Sequence, residues 1–169
     1  MYSLAMEFFL SKENLNLHFS YLNDLKLKYS ILEKSGVFQG GNKIKGNYSE
    51  VKKEAKNLRK EIDLHEIYFS SFAKNSPKCD FLKRFYSSKE SFLYEIFVTA
   101  KHCESDFLII SRNKIGKPFI SNSDDFSGVT SILALDLSEH AYFFDYAFNK
   151  DEYIKRALNY LDLSKLEIN

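Results

Sequence analysis

The stretch from residue 49 to residue 73 constrains the fold more than any other part of the chain. Val51, Ala55, Leu58, Ile62, His65, Phe69 and Phe72 recur at steps of three and four residues. That spacing draws one unbroken stripe down one face of a helix. Lys52, Lys53, Glu54, Lys56, Arg59, Lys60, Asp63 and Glu66 fall mostly off the stripe, as a solvated face requires. Upstream, Ser11 to Leu32 repeats the pattern with Leu15, His18, Leu22, Leu25, Tyr29 and Leu32. Between the two stripes, "KSGVFQGGNKIKGNYSE" contains four glycines and reads as a loop. Asn47, with Glu50 three residues on, suits a capping box opening the second helix. Two long stripes joined by a loop predict an antiparallel helical hairpin. The repeats are too few for a coiled coil, so the hairpin is expected to pack in a globular lobe.

The character of the chain then changes. "AKNSPKCD" (73–80) reads as a linker, with Pro77 barring a continuous helix. A short helix over 79–86 is expected next, then a longer one capped by Ser87 with Glu90 and reaching about residue 102. "DFLIIS", the turn "RNKIGKP", "FIS" and later "TSILALD" read as three short antiparallel strands. "AYFFDYAFN" and "KDEYIKRALNYL" return to helix. The expected fold class is α+β: an N-terminal antiparallel helical hairpin (1–75) packed on a C-terminal lobe (76–169) of helices around a three-stranded antiparallel sheet.

Charge excludes some functions. Lys+Arg of 24 against Asp+Glu of 23 leaves a formal charge of +1, so no global field draws the chain to nucleic acid or a lipid surface. The two cysteines, Cys79 and Cys103, have neither CxxC nor zinc spacing, and reduced thiols are expected. "MYSLAMEFFLSKEN" lacks a basic leader and is acidic where a transit peptide is Arg-rich. No apolar run approaches membrane-spanning length. An intracellular, cytoplasmic protein with no membrane association is the expectation.

Two of the four histidines, His18 and His65, sit in mid-stripe, where they face the core. A lone core imidazole is ordinarily satisfied by a backbone group. Two on paired helices are most simply satisfied by a shared metal, since an unpartnered buried imidazole costs about 1–3 kcal/mol. Asp136 closes the apolar strand "SILALD", and His140 follows four residues later. Asp136 could serve as a helix N-cap, but that role leaves His140 without an explanation. Three imidazoles and a carboxylate form a mixed N/O set suited to zinc, iron or manganese. His102 falls near a helix end and is expected to be exposed there.

"DLSEHAYFFDY" resembles the D-x-W-E-H-A-Y-Y-x-D-Y signature of iron/manganese superoxide dismutases. "LSKENLNLHFSYLNDL" resembles that family's first helix, and "EIDLHEIYF" its segment bearing the second histidine. The resemblance runs in order over nearly the whole chain. It implies that His18, His65, Asp136 and His140 are metal ligands for one iron or manganese ion per chain. It also implies dismutation of superoxide to dioxygen and hydrogen peroxide, and a homodimer in which Glu139 bonds the opposite subunit's last histidine ligand.

The departures from the family pattern are specific. Leu22 and Lys26 stand where the family has a gating histidine and tyrosine, and Ser138 replaces the signature tryptophan. Glu61 replaces a glutamine that bonds the metal-bound solvent; its carboxylate is expected either to reach that region or to pair with a surface lysine. Phe143 replaces the tyrosine that meets the gating histidine across the dimer, which suggests an apolar contact between Leu22 and Phe143. These changes keep two further functions in view. One is a metal-binding protein with other or weak redox chemistry. The other is a non-catalytic structural subunit of a larger assembly, such as a mitochondrial ribosome.

Overall fold

A computed structural model describes residues 4–34, 48–75, 79–122 and 133–167. Helices α1 (Lys12–Lys34) and α2 (Tyr48–Ser70) pair as the two stripes predict. The glycine-bearing loop up to Asn47, the Asn47 cap and Pro77 lie outside the described residues. On α1 the stripe buries Leu15, His18, Leu22 and Leu25, then emerges, since Tyr29 and Leu32 are only half-buried. On α2 burial is wider than the stripe. Leu64 and Tyr68 join Ile62, His65 and Phe69 in the interior, because this helix faces both α1 and the sheet.

α2 ends at Ser70, three residues before the end expected from the stripe. The chain there leaves the helix to pair with a distant segment. Phe72 forms an isolated bridge with Leu161, Ala73 N–H donates to Tyr160 O at 2.8 Å, and Asp162 N–H donates to Ser71 O at 2.9 Å. These long-range bonds satisfy backbone groups that the helix would otherwise claim.

In the C-terminal half, a 3-10 turn (Asp80–Arg84) occupies the place of the expected short helix, and α3 (Lys89–Lys101) follows. Its cap is Ser88 rather than Ser87: the Ser88 hydroxyl accepts from Ser91 N–H at 3.1 Å. His102 is the exposed C-cap residue of α3.

Strands β1 (Phe107–Arg112), β2 (Pro118–Asn122) and β3 (Leu133–Asp136) form an antiparallel sheet in the order β2-β1-β3. β1 is central and almost wholly buried, which explains an apolar run with no alternation. The β1–β2 turn is closed by Asn113. Its Oδ1 accepts from Ile115 and Lys117 N–H at 3.1 and 2.9 Å, and Gly116 supplies the positive φ of 81°.

The predicted helix over "AYFFDYAFN" stops early. α4 (Glu139–Tyr146) ends where Ala147 takes φ 49°, and Asn149 then caps α5 (Lys150–Tyr160) by accepting from Glu152 N–H at 3.2 Å. The fold is therefore α+β, a helical hairpin against helices and a three-stranded antiparallel sheet. One continuous apolar core joins the two parts, from Leu15, Ile62 and Phe69 on the hairpin to Ile109, Leu135 and Ile154 beyond it. Among the described residues no helix is long and apolar enough to cross a membrane. Cys79 and Cys103 are both free thiols.

Candidate metal centre

β3 fixes the centre of the site. Asp136 is its last residue, paired in register with Phe107 of β1, and it is fully buried. Its backbone carbonyl accepts from the Tyr153 hydroxyl of α5 at 2.8 Å, and Tyr153 shares a hydroxyl contact of 3.1 Å with Tyr68 of α2. Its two carboxylate oxygens have separate surroundings. Oδ1 accepts from Ser138 N–H at 3.0 Å and from the Ser138 hydroxyl. Oδ2 faces three imidazoles.

Those imidazoles come from three helices. His18 Nε2 of α1 lies 3.1 Å from Asp136 Oδ2, His140 Nε2 of α4 lies 3.3 Å away, and His65 Nε2 of α2 lies 3.4 Å away. His65 Nε2 and His140 Nε2 are 3.2 Å apart. The four candidate donor atoms all lie within 4.8 Å of one another. His18 and His65 are buried, whereas 32 % of the His140 side chain is exposed. The site is thus deep on the hairpin side and open at α4.

Stacking and hydrogen bonds aim the rings. His18 packs between Tyr68 and Phe69, with centroids at 5.2 and 4.8 Å, and meets His65 and His140 edge-on at 5.2 and 4.9 Å. His65 Nδ1–H donates to the Glu61 carbonyl at 2.8 Å, one turn back on α2. That bond leaves the Nε2 lone pair pointing at Asp136. By contrast, Asp136 Oδ2 and His18 Nε2 are buried and form no hydrogen bond among the described residues.

Electrostatics follow from this packing. Burial pushes Asp136 toward its neutral form, but the His140 and His18 imidazoles beside it overcome that effect and hold the carboxyl well below its usual range. Burial lowers His65, and the charge of Asp136 offsets only part of the effect. For the more exposed His140, the same Asp136 contact outweighs burial and raises the imidazole. The cluster therefore gathers one carboxylate and three imidazoles at a single point, a mixed donor set able to hold a transition-metal cation.

The remaining positions expected to matter lie around this cluster. The Glu61 carboxylate stands outside the four-atom group. Its Oε1 accepts from the Tyr21 hydroxyl at 2.6 Å. The Tyr21 ring in turn covers His140, with centroids 4.3 Å apart, and lies 5.5 Å from His65. Burial and the Glu61 contact both push the Tyr21 phenol well above its usual range, so it stays protonated. Lys26 pairs with Glu66 at 2.7 Å on the exposed side of the hairpin. Leu22 is buried within the chain, whereas Phe143 is partly exposed and meets Phe148 edge-on at 5.4 Å. Glu139 is exposed in the first turn of α4.

The sequence pattern draws no attention to Tyr21, Tyr153 or Asn14. Tyr21 flanks the α1 stripe three residues after His18, and the β3–α4 junction gives no pattern that would identify Tyr153 as its support. Asn14 is buried one turn before His18 and its amide forms no hydrogen bond among the described residues. Its position at His18 minus four was the available signal.

The family described as iron/manganese superoxide dismutases, C-terminal domain, matches residues 80–169, more than half of the chain. The chain belongs to the iron/manganese superoxide dismutase family. No curated protein matches it. The matched span contains Asp136 and His140. His18 and His65 lie before it, on a hairpin that brings them to the same point. Membership in the superoxide dismutase family thus rests on the half of the molecule that supplies the carboxylate and one imidazole, and the fold adds the other two.

Proposed function

We propose that this member of the superoxide dismutase family binds one iron or manganese ion through His18, His65, Asp136 and His140 and dismutes superoxide to dioxygen and hydrogen peroxide. One observation carries the reading: Asp136 Oδ2 and His18 Nε2 are buried without hydrogen bonds, amid two further imidazole nitrogens. Orphaned atoms of this kind cost about 1–3 kcal/mol each unless something engages them. A cation does so, and the spacing fits one. Metal–ligand bonds of about 2.1 Å at angles near 90–110° hold donors roughly 3.0–3.4 Å apart. Four of the six separations among the donors measure 3.1, 3.2, 3.3 and 3.4 Å, and all six lie within 4.8 Å.

A bound iron or manganese ion would supply a one-electron couple able to oxidise one superoxide and reduce the next. The chain's own residues would set the conditions for that couple. Asp136 balances part of the cation's charge, and Tyr153 and Ser138 hold it in place. Phe69, Tyr68 and Phe107 exclude water from the buried side. Approach is left to the partly exposed side at His140, beneath the Tyr21 ring. There the protonated Tyr21 hydroxyl is held by Glu61, which keeps that carboxylate bonded away from the four donors.

A homodimer belongs to the same reading. Phe143, Phe144 and Phe148 expose 43, 61 and 90 % of their surfaces on α4 and the turn after it, close to Glu139. That apolar surface supports a second copy as partner. Weak or different redox chemistry at the same centre is the second reading, favoured by Lys26, which is committed to Glu66 rather than to the site.

Purified protein loaded in turn with iron and manganese tests the proposal. One equivalent of either metal, with superoxide turnover that His140→Ala abolishes, is the expected result. Stoichiometric metal without turnover moves the protein to the second reading. Absence of stoichiometric metal rejects the ligand set and leaves a structural role on this fold. Light scattering at micromolar concentration should give a dimer, and a monomer would remove the second copy.

A further inference from the structure

Ser138 begins α4 but does not cap it. Its φ and ψ of −71° and 153° are those of an N-cap, yet its side chain makes no capping bond. A serine at this position ordinarily accepts from an N–H two or three residues on, as Ser88 does for α3. The Ser138 hydroxyl is instead turned between two members of the cluster. It donates to Asp136 Oδ1, and its oxygen lies 3.0 Å from His140 Nδ1 and 3.2 Å from His140 Nε2.

Counting protons fixes the direction of the bond to Asp136. A serine hydroxyl has one proton and two acceptor lone pairs. With the proton given to Asp136, the oxygen has none left for the imidazole and packs against the ring beside both nitrogens. His140 Nε2 is directed at the cluster, 3.3 Å from Asp136 Oδ2 and 3.2 Å from His65 Nε2.

We propose that Ser138 is a positioning residue for the metal centre, resting on the metal reading above. Its hydroxyl and backbone N–H hold Asp136 Oδ1 so that Oδ2 alone faces the histidines. The same hydroxyl packs against the His140 ring and limits its rotation, with Nε2 directed at the cluster. The helix gives up a capping bond in exchange, which is why α4 begins with an uncapped serine.

The test compares wild type, Ser138→Ala and Ser138→Thr, each first stripped of metal. Affinity for manganese(II) is measured by chelator competition, and the visible absorption of the cobalt(II) form reports on donor geometry. Loss of an outer hydrogen-bonding partner lowers metal affinity by about 10–100-fold. Ser138→Ala should show a loss of that size and an altered cobalt spectrum, and Ser138→Thr should regain most of the affinity and the original spectrum. The thermal midpoint of metal-free Ser138→Ala should fall by only a few degrees, since Asp136 Oδ1 keeps the Ser138 N–H and loses one hydrogen bond. Unchanged affinity in Ser138→Ala, with wild type still binding, overturns this inference alone. Equal destabilisation of Ser138→Ala with and without metal, with no spectral change, also overturns it and makes Ser138 merely structural. Wild type that binds neither metal overturns the inference together with the metal reading.

Discussion

Glu61 shows how a single side chain can be in the right place and yet do something other than its sequence suggests. Its backbone carbonyl orients His65, while its carboxylate is held by Tyr21 across the hairpin. The negative charge remains near the open side of the site, where it opposes an incoming anion. Glu61→Gln keeps the size and an acceptor oxygen for the Tyr21 hydroxyl, so only the charge is lost. In metal-loaded protein this variant should dismute superoxide faster, with a change in stability within about 1.5 kcal/mol for one altered hydrogen bond. Pulse radiolysis and urea denaturation measure the two effects, and an unchanged rate dismisses the electrostatic argument. The proposed ligands were legible in the sequence because burial and polarity conflict at each. A histidine in mid-stripe or a carboxylate closing an apolar strand demands a partner. Tyr21 was not legible for the opposite reason: a tyrosine at the edge of a stripe satisfies every local rule, and only the hairpin's packing turns it over His140.

At the scale of elements, the periodic segments could be read and their ends could not. Both long helices follow from three- and four-residue spacing, and the three strands from short apolar runs between turn residues. The end of α2 is set by bonds to segments about ninety residues away in sequence. The α4–α5 break falls at Ala147, a residue that gives no local sign of positive φ. Ser71, just past α2, fastens the hairpin to the sheet. Its fully buried hydroxyl donates to Ile67 O at 2.8 Å and accepts from Ala134 N–H of β3 at 2.9 Å. Ser71→Ala leaves that strand amide without a partner, at a cost of about 1–3 kcal/mol. Because Asp136 is two residues further along β3, the variant should also weaken manganese(II) binding. Urea midpoints and chelator competition check both effects. A stability loss with no change in affinity would separate the sheet contact from the site.

At the scale of the molecule, the proposed donors tie together α1, α2, β3 and α4, which come from both ends of the chain. Two donors arrive from the hairpin and two from the junction between sheet and α4. Binding energy at the centre must therefore appear as stability of the whole fold, because no donor set exists in the unfolded chain. At free metal one hundred times the dissociation constant, the linkage contributes about 2.7 kcal/mol. For a domain of this size, each kcal/mol moves the thermal midpoint by about 2–4 °C. Metal-loaded protein should thus melt roughly 5–11 °C above the chelated form. His18→Ala removes a buried donor that touches the other three elements through His65, His140 and Asp136. In that variant the difference between loaded and chelated protein should shrink toward zero, whatever its absolute midpoint. A thermal shift in His18→Ala as large as in wild type would mean that the metal binds elsewhere. It would then also mean that the orphaned buried atoms at Asp136 and His18 owe their arrangement to something other than a cation.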